Sequence, residues 1–139
     1  MAKLDKVHNA VKNALIKDGW TITADPFRIE FEEYRLYADL SAERPIAAIR
    51  ENEKIVVEIK SFLNRSSVSD FEQALGQYLI YRRLLSKLEP KTKIYLAISE
   101  ATYTDFFTLK ATQFIIETEQ VSLFTVNLEN EEIERWIKH

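Results

Sequence analysis

Apolar residues recur every three to four positions at the start of the chain: Leu4, Val7, Val11, Ala14 and Leu15. That spacing predicts an amphipathic helix. Gly19 predicts its end, because glycine adopts at no steric cost the left-handed conformation that closes a helix. Trp20 to Thr23 reads as a short strand and Asp25-Pro26 as a turn. From Phe27 the period changes to two. Phe27-Arg28-Ile29-Glu30-Phe31 alternates apolar and polar, and Tyr34 to Leu40 follows a charged turn at Glu32-Glu33. Pro45 interrupts, Ile46 to Arg50 is a fourth strand-like piece, and Glu51-Asn52-Glu53 reads as a polar turn into Lys54 to Lys60. Strands joined by short turns predict an antiparallel meander.

From Val68 the helical period returns. Ser69 or Asp70 can cap the helix, Phe71, Leu75, Tyr78, Leu79, Leu85 and Leu88 mark its apolar stripe, and Pro90 ends it. Ile94 to Ile98 is a continuous apolar run, the pattern of a strand buried on both faces. Thr102 to Phe107 and Ala111 to Glu119 read as helical, Val121 to Val126 as a strand, and Glu131 to Lys138 as a last strand or a short helix. There is no internal repeat, low-complexity tract or flexible linker. Helix, strands, long helix, strand, helix, strand is the order of an α/β fold with helices over a mixed central sheet. Asp39 and the strand of Glu58 to Lys60 would lie in the middle of that sheet. The 139 residues fit a single domain, 1–139.

Composition narrows the function classes. With no cysteine there is no disulfide and no thiolate metal site. No apolar run approaches the ~18 residues that span a membrane, and the charged first turns do not resemble a signal peptide. The expectation is a soluble, cytoplasmic protein without membrane contact. The net charge is −3. Nonspecific DNA binding rests on many Lys and Arg displacing counterions, so any nucleic-acid surface must be a local patch or be supplied by a partner.

The chemistry concentrates at Glu58-Ile59-Lys60. Alternate side chains of a strand share a face, so Glu58 and Lys60 lie side by side. With Asp39 on a neighbouring strand they can hold Mg²⁺, or Mn²⁺, which take oxygen ligands and keep several waters. Asp39 and Glu58 are the candidate metal ligands, with the main-chain carbonyl of Ile59 as a third. Lys60 would steady the charge developing on a phosphate. Glu43 is an alternative second acid, expected in the loop before Pro45. The plainer readings stand beside these: Asp39 and Glu58 as ordinary strand-end charges, His8 as a hydrogen-bonded helix histidine, and Lys12 and Lys17 as solvated helix charges. Tyr81 reads as packed, and Trp20 and Trp136 as core anchors. Arg82 and Arg83, with Arg65 before the helix, are the best local basic feature.

Asp39, Glu58-Ile59-Lys60 and a following helix with Gln77 and Tyr81 on one face resemble the PD-(D/E)XK nuclease superfamily, in which such a glutamine faces the site. Gln77 is therefore a candidate catalytic residue. A narrower resemblance rests on His8 to Lys12, Lys17 to Thr23, Asp25-Pro26, Asp39-Leu40-Ser41-Ala42-Glu43, Val57 to Phe62 and Ala74 to Tyr78. These segments are similar to the cyanobacterial XisH family, the fdxN-element excision controlling factors. Ser41 departs from the family's glycine, which matters only where a positive φ is required. The resemblance implies a restriction-endonuclease-like fold with an αβββαβ core. It also implies a part in site-specific DNA excision and recombination during heterocyst development, beside a recombinase and an XisI-type companion. It implies no demonstrated cleavage, and a non-catalytic accessory role is the alternative. The oligomeric state, including a homo-oligomer, stays open.

Overall fold

A computed structural model describes residues 2–46, 51–63 and 65–139, without the side chains of 2–5. The chain opens with α1 (Ala2–Lys17), followed by β1 (Thr21–Ala24), β2 (Phe27–Phe31), β3 (Tyr34–Ala38), β4 (Leu40–Ile46) and β5 (Glu51–Ile59). The long helix α2 (Ser67–Leu88) crosses to β6 (Lys93–Ser99). A single turn, α3 (Glu100–Thr102), then runs into a π-helical turn (Tyr103–Phe107), and α4 (Lys110–Thr118), β7 (Leu123–Asn127) and β8 (Glu132–Ile137) complete the fold.

The six-stranded sheet has the order β1-β4-β5-β6-β7-β8. β5, β6 and β7 run parallel, and the outer pairings are antiparallel. The sheet is thus mixed, with helices on both faces. Strand alternation divides the core. Ile55 and Val57 of β5 and Tyr95 and Ala97 of β6 pack with Val7, Val11 and Leu15 of α1. Val56 of β5 and Ile94, Leu96 and Ile98 of β6 pack with Phe71, Tyr78 and Leu85 of α2. Both central strands are covered twice, which is why they read as unbroken apolar runs. Phe124 of β7 packs against Trp136 of β8 at 4.7 Å between ring centroids. Among the described residues no helix is long and apolar enough to cross a membrane.

Several boundaries differ from the sequence pattern. β2 and β3 form a separate two-stranded ribbon rather than part of a meander, because their apolar face, with Ile29, seats on the α2 side of the core. Pro45 lies inside β4. β1 covers β4 only over Ser41–Glu43, so at Pro45 that edge is open and the missing N–H breaks no ladder bond. Glu51-Asn52-Glu53 is the start of β5, opposite Ile46, Pro45 and Arg44, not a turn. Of the expected strand from Ile46 to Arg50, Ile46 closes β4, and 47–50 lie outside the described residues. The cap of α2 is Ser66, whose Oγ accepts the Ser69 N–H at 3.1 Å, rather than Ser69 or Asp70. The tail is a strand, paired along β7.

The end of α1 matches its sequence signal. Gly19 sits at φ +94°. The Trp20 N–H bonds the Leu15 carbonyl at 3.0 Å and the Gly19 N–H bonds that of Ile16 at 3.1 Å, the pair of bonds that closes a helix around a left-handed residue. Gly19→Ala is expected to lower unfolding free energy by about 1 kcal/mol, read as a fall in the urea midpoint at unchanged slope.

Candidate functional site

β4 and β5 pair down to Leu40 opposite Val57. One step further the register would set Asp39 against Glu58, but the backbone pairing stops there. Asp39 Oδ2 instead accepts the Ile59 N–H at 2.6 Å. The carboxylate stands in for a strand carbonyl, and the chain leaves β3 for β4 around it. Glu58 follows Val56 onto the α2 face and is 5% exposed. Its carboxyl lies near enough to Asp39 for the main chain and the carboxyl of Asp39 to act on its charge. The two acids predicted from separate segments therefore meet.

Burial, and then the charge of Asp39, push Glu58 up to about 8, against the opposing pull of Lys60. Burial also raises Asp39, opposed by the Ile59 N–H and by the charges of His8 and Lys60. Two carboxyls this close in a dry site cannot both ionise readily, so the pair holds one proton near neutral pH. Glu58 Oε1 is buried with no hydrogen-bond partner.

Lys60 ends the motif half-buried on the Glu58 face. Its N–H donates to the Ala97 carbonyl on β6 at 3.1 Å. Backbone groups of successive strand residues point to opposite edges, so the Ile59 N–H and carbonyl leave toward Asp39. From α2, the Tyr81 hydroxyl donates to the Tyr37 carbonyl at 3.2 Å, two residues before Asp39. Burial and the charges of Glu58 and Asp39 raise its pKa. Gln77, one turn earlier, has a buried Oε1 without a partner.

On the α1 side, His8 Nε2 lies 2.9 Å from Asp25 Oδ1 and Lys12 Nζ 2.8 Å from Asp25 Oδ2. Burial works to raise Asp25, but the hydrogen bonds from Lys12 and His8 outweigh it and hold its carboxyl below the usual range. His8 is thus a hydrogen-bonded helix histidine whose charge also reaches Asp39. Nothing local in the sequence marked Asp25 as the partner of both His8 and Lys12; only the docking of α1 over the β1–β2 turn does so.

Other candidates lie elsewhere. Glu43 is in β4, not a loop, and its Oε1 accepts from Asn52 at 3.2 Å. Four strand residues put it about 13 Å from Asp39. Arg82 bonds the carbonyls of Glu119 and Gln120 at 2.8 and 3.0 Å, holding the end of α4. Lys17 bonds the Asn130 carbonyl. Arg65 and Arg83 are exposed. Trp20 and Trp136 are 6.0 Å apart in the α1-side core. Ser41 lies in strand backbone with its Oγ 2.7 Å from that of Thr23, so no positive φ is needed there. Such a φ occurs at Phe62, +52°, just past Lys60. Its ring packs on Phe106 and Phe107.

Two carboxylates and a main-chain carbonyl are hard oxygen donors, the chemistry of Mg²⁺ and Mn²⁺. The unpartnered Oε1 of Glu58 fits a cation ligand. Among the described residues no three of His, Cys, Asp and Glu converge as a metal cluster, so water or phosphate would have to complete any shell.

The raised Glu58 pKa has a definite sign for stability. The folded pair binds its proton more tightly than the unfolded chain, so stability is lost as pH rises from about 4.5 toward about 8. Without divalent cation, Glu58→Gln should therefore gain stability over the wild type. The gain should be larger at pH 8.5 than at pH 5.5 by on the order of 2 kcal/mol, read from urea titrations in chelator at both pH values. A gain independent of pH would mean that the carboxyls do not share a proton.

The family model for XisH protein matches residues 1–134. The crystal structure of an XisH family protein from Nostoc punctiforme PCC 73102 superposes with a TM-score of 0.88 at 41% identity, covering 96% of this chain and 100% of that one. That of an fdxN element excision controlling factor protein from Anabaena variabilis gives 0.88 at 42% identity, covering 96% and 99%. No curated protein matches. By sequence along nearly its whole length and by fold, the chain belongs to the XisH family.

Proposed function

We propose that this protein is an excision controlling factor for a DNA element, and that its acid pair is a PD-(D/E)XK-type site on a restriction-endonuclease-like fold, able to support Mg²⁺-dependent phosphodiester hydrolysis. The observation that carries this reading is the meeting of Asp39 and Glu58 where the β4–β5 ladder ends, with the Ile59 N–H on Asp39 and Lys60 next along the chain. Asp39, Glu58 and the Ile59 carbonyl would hold the cation, and Mn²⁺ suits the same oxygens. A bound Mg²⁺ would polarise a phosphoryl oxygen and acidify a water. Lys60 would neutralise charge gathering on the phosphate. The free Gln77 Oε1 would accept a hydrogen bond from water and orient it. Cation binding would expel the shared proton, so affinity would rise with pH.

The test is nicking of supercoiled plasmid with Mg²⁺ and with Mn²⁺. Glu58→Ala and Lys60→Ala are expected to lose on the order of 100-fold or more in rate. Equal background in the wild type and Glu58→Ala excludes hydrolysis at this site.

A second reading has a specific observation behind it: among the described residues no third His, Cys, Asp or Glu joins the two carboxylates, in a chain of net charge −3. The protein would then keep its scaffold to bind an XisI-type companion, a recombinase or DNA, without cleavage. Calorimetry with the purified companion and recombinase should give micromolar or tighter association that Glu58→Ala retains. Absence of association at that concentration removes this reading.

A further inference from the structure

The β2–β3 ribbon stands outside the six-stranded sheet, its strands bonded to each other. One face, with Ile29 buried and Phe27 and Leu36 against it, seats on the core under α2. Alternation puts Arg28, Glu30, Arg35 and Tyr37 on the other face, and all four are exposed. The register sets Arg28 opposite Tyr37 and Glu30 opposite Arg35. Glu30 pairs with Arg28 and also lies 4.0 Å from Arg35 Nε. Two guanidinium groups thus share one carboxylate on the outer face of the strands, while the exposed Glu32 and Glu33 lie in the turn at the ribbon's far end. The Arg35 side chain is 78% exposed.

The placement adds a second argument. Tyr37 is two residues before Asp39, so the ribbon leads directly into the acid pair. At this same end, where Phe27 pairs with Ala38, the Asp25-Pro26 turn is bound to His8 and Lys12. α1 and Lys60 therefore flank the acids, and the ribbon arginines lie further out along the strands that lead to them.

We propose that the outer face of this ribbon docks duplex DNA, with Arg28 and Arg35 on backbone phosphates and Tyr37 against the strand entering the site. The proposal rests on reading the acid pair as a phosphodiester site. The planar fork of arginine matches phosphate bidentately. A two-stranded ribbon fits the major groove of B-form DNA, whereas the major groove of A-form RNA is too narrow and deep. Acidic surface elsewhere repels phosphate, so contact concentrates on this face.

The test is fluorescence anisotropy of a labelled 20-base-pair DNA duplex at several salt concentrations, with Ca²⁺ in place of Mg²⁺. Arg28→Ala/Arg35→Ala should bind about tenfold more weakly, with a salt dependence shallower by about 2 in log–log slope. Glu30→Gln, which frees both guanidinium groups, should bind severalfold more tightly. Unchanged affinity in the double variant overturns the proposal, as does a wild type that ignores this duplex or prefers the RNA duplex of the same sequence. Melting temperatures equal to the wild type identify the losses as contacts rather than unfolding. Binding is read without turnover. Failed nicking therefore leaves the ribbon result standing, and unchanged binding by the ribbon variants leaves the nicking result standing.

Discussion

The hydrogen bond from the Ile59 N–H to Asp39 Oδ2 governs the candidate site. At that point a strand carbonyl would ordinarily continue the β4–β5 ladder. A side-chain carboxylate takes its place, so β3 can leave the sheet while no backbone donor is orphaned. The same substitution carries the Asp39 charge to Glu58. A buried acid beside a half-buried one opposes folding unless something neutralises the pair. Here a shared proton, a main-chain donor and the nearby ammonium of Lys60 do so.

Everything around that bond keeps it in place. β5 is covered on both faces and paired on both edges, so Glu58 has little room to move. Tyr81 reaches from α2 to hold the Tyr37 carbonyl, fixing the end of β3 just before the turn at Asp39. α1 is tied to the β1–β2 turn through Asp25, which brings the charge of His8 toward the acids. Beyond Lys60, the Phe62 ring anchors the departing loop in an aromatic cluster at a backbone angle unusual for phenylalanine. Strained or incompletely bonded groups of this kind cluster where a protein does chemistry or binds. The unpartnered oxygens of Glu58 and Gln77 belong to the same pattern.

Charge distribution reconciles an acidic chain with the nucleic-acid role proposed above. Net charge acts at long range and is screened within about 10 Å at moderate ionic strength. Local sign therefore decides contact. Arg82, the basic residue most prominent in the sequence, is committed to the end of α4. The arginines of the ribbon are instead held in the open by a carboxylate they share.

Much of the fold was legible in the chain itself. Helical spacing from Val7 to Leu15, Gly19, Pro90 and the apolar run at Ile94 located α1, α2 and β6, because periodicity and breakers are local properties. Glu58-Ile59-Lys60 marked the acid–lysine face by strand alternation alone. Tertiary structure decided the rest. It set the ribbon apart from the sheet, kept Pro45 within a strand by leaving one edge open, and drew polar Glu51 to Glu53 into β5 through their pairing with β4. It also decided that Asp39 rather than Glu43 meets Glu58, since strand register depends on which edges find partners. A one-residue slip would turn every side chain to the opposite face, and no local pattern in the sequence encodes which edge a strand will meet.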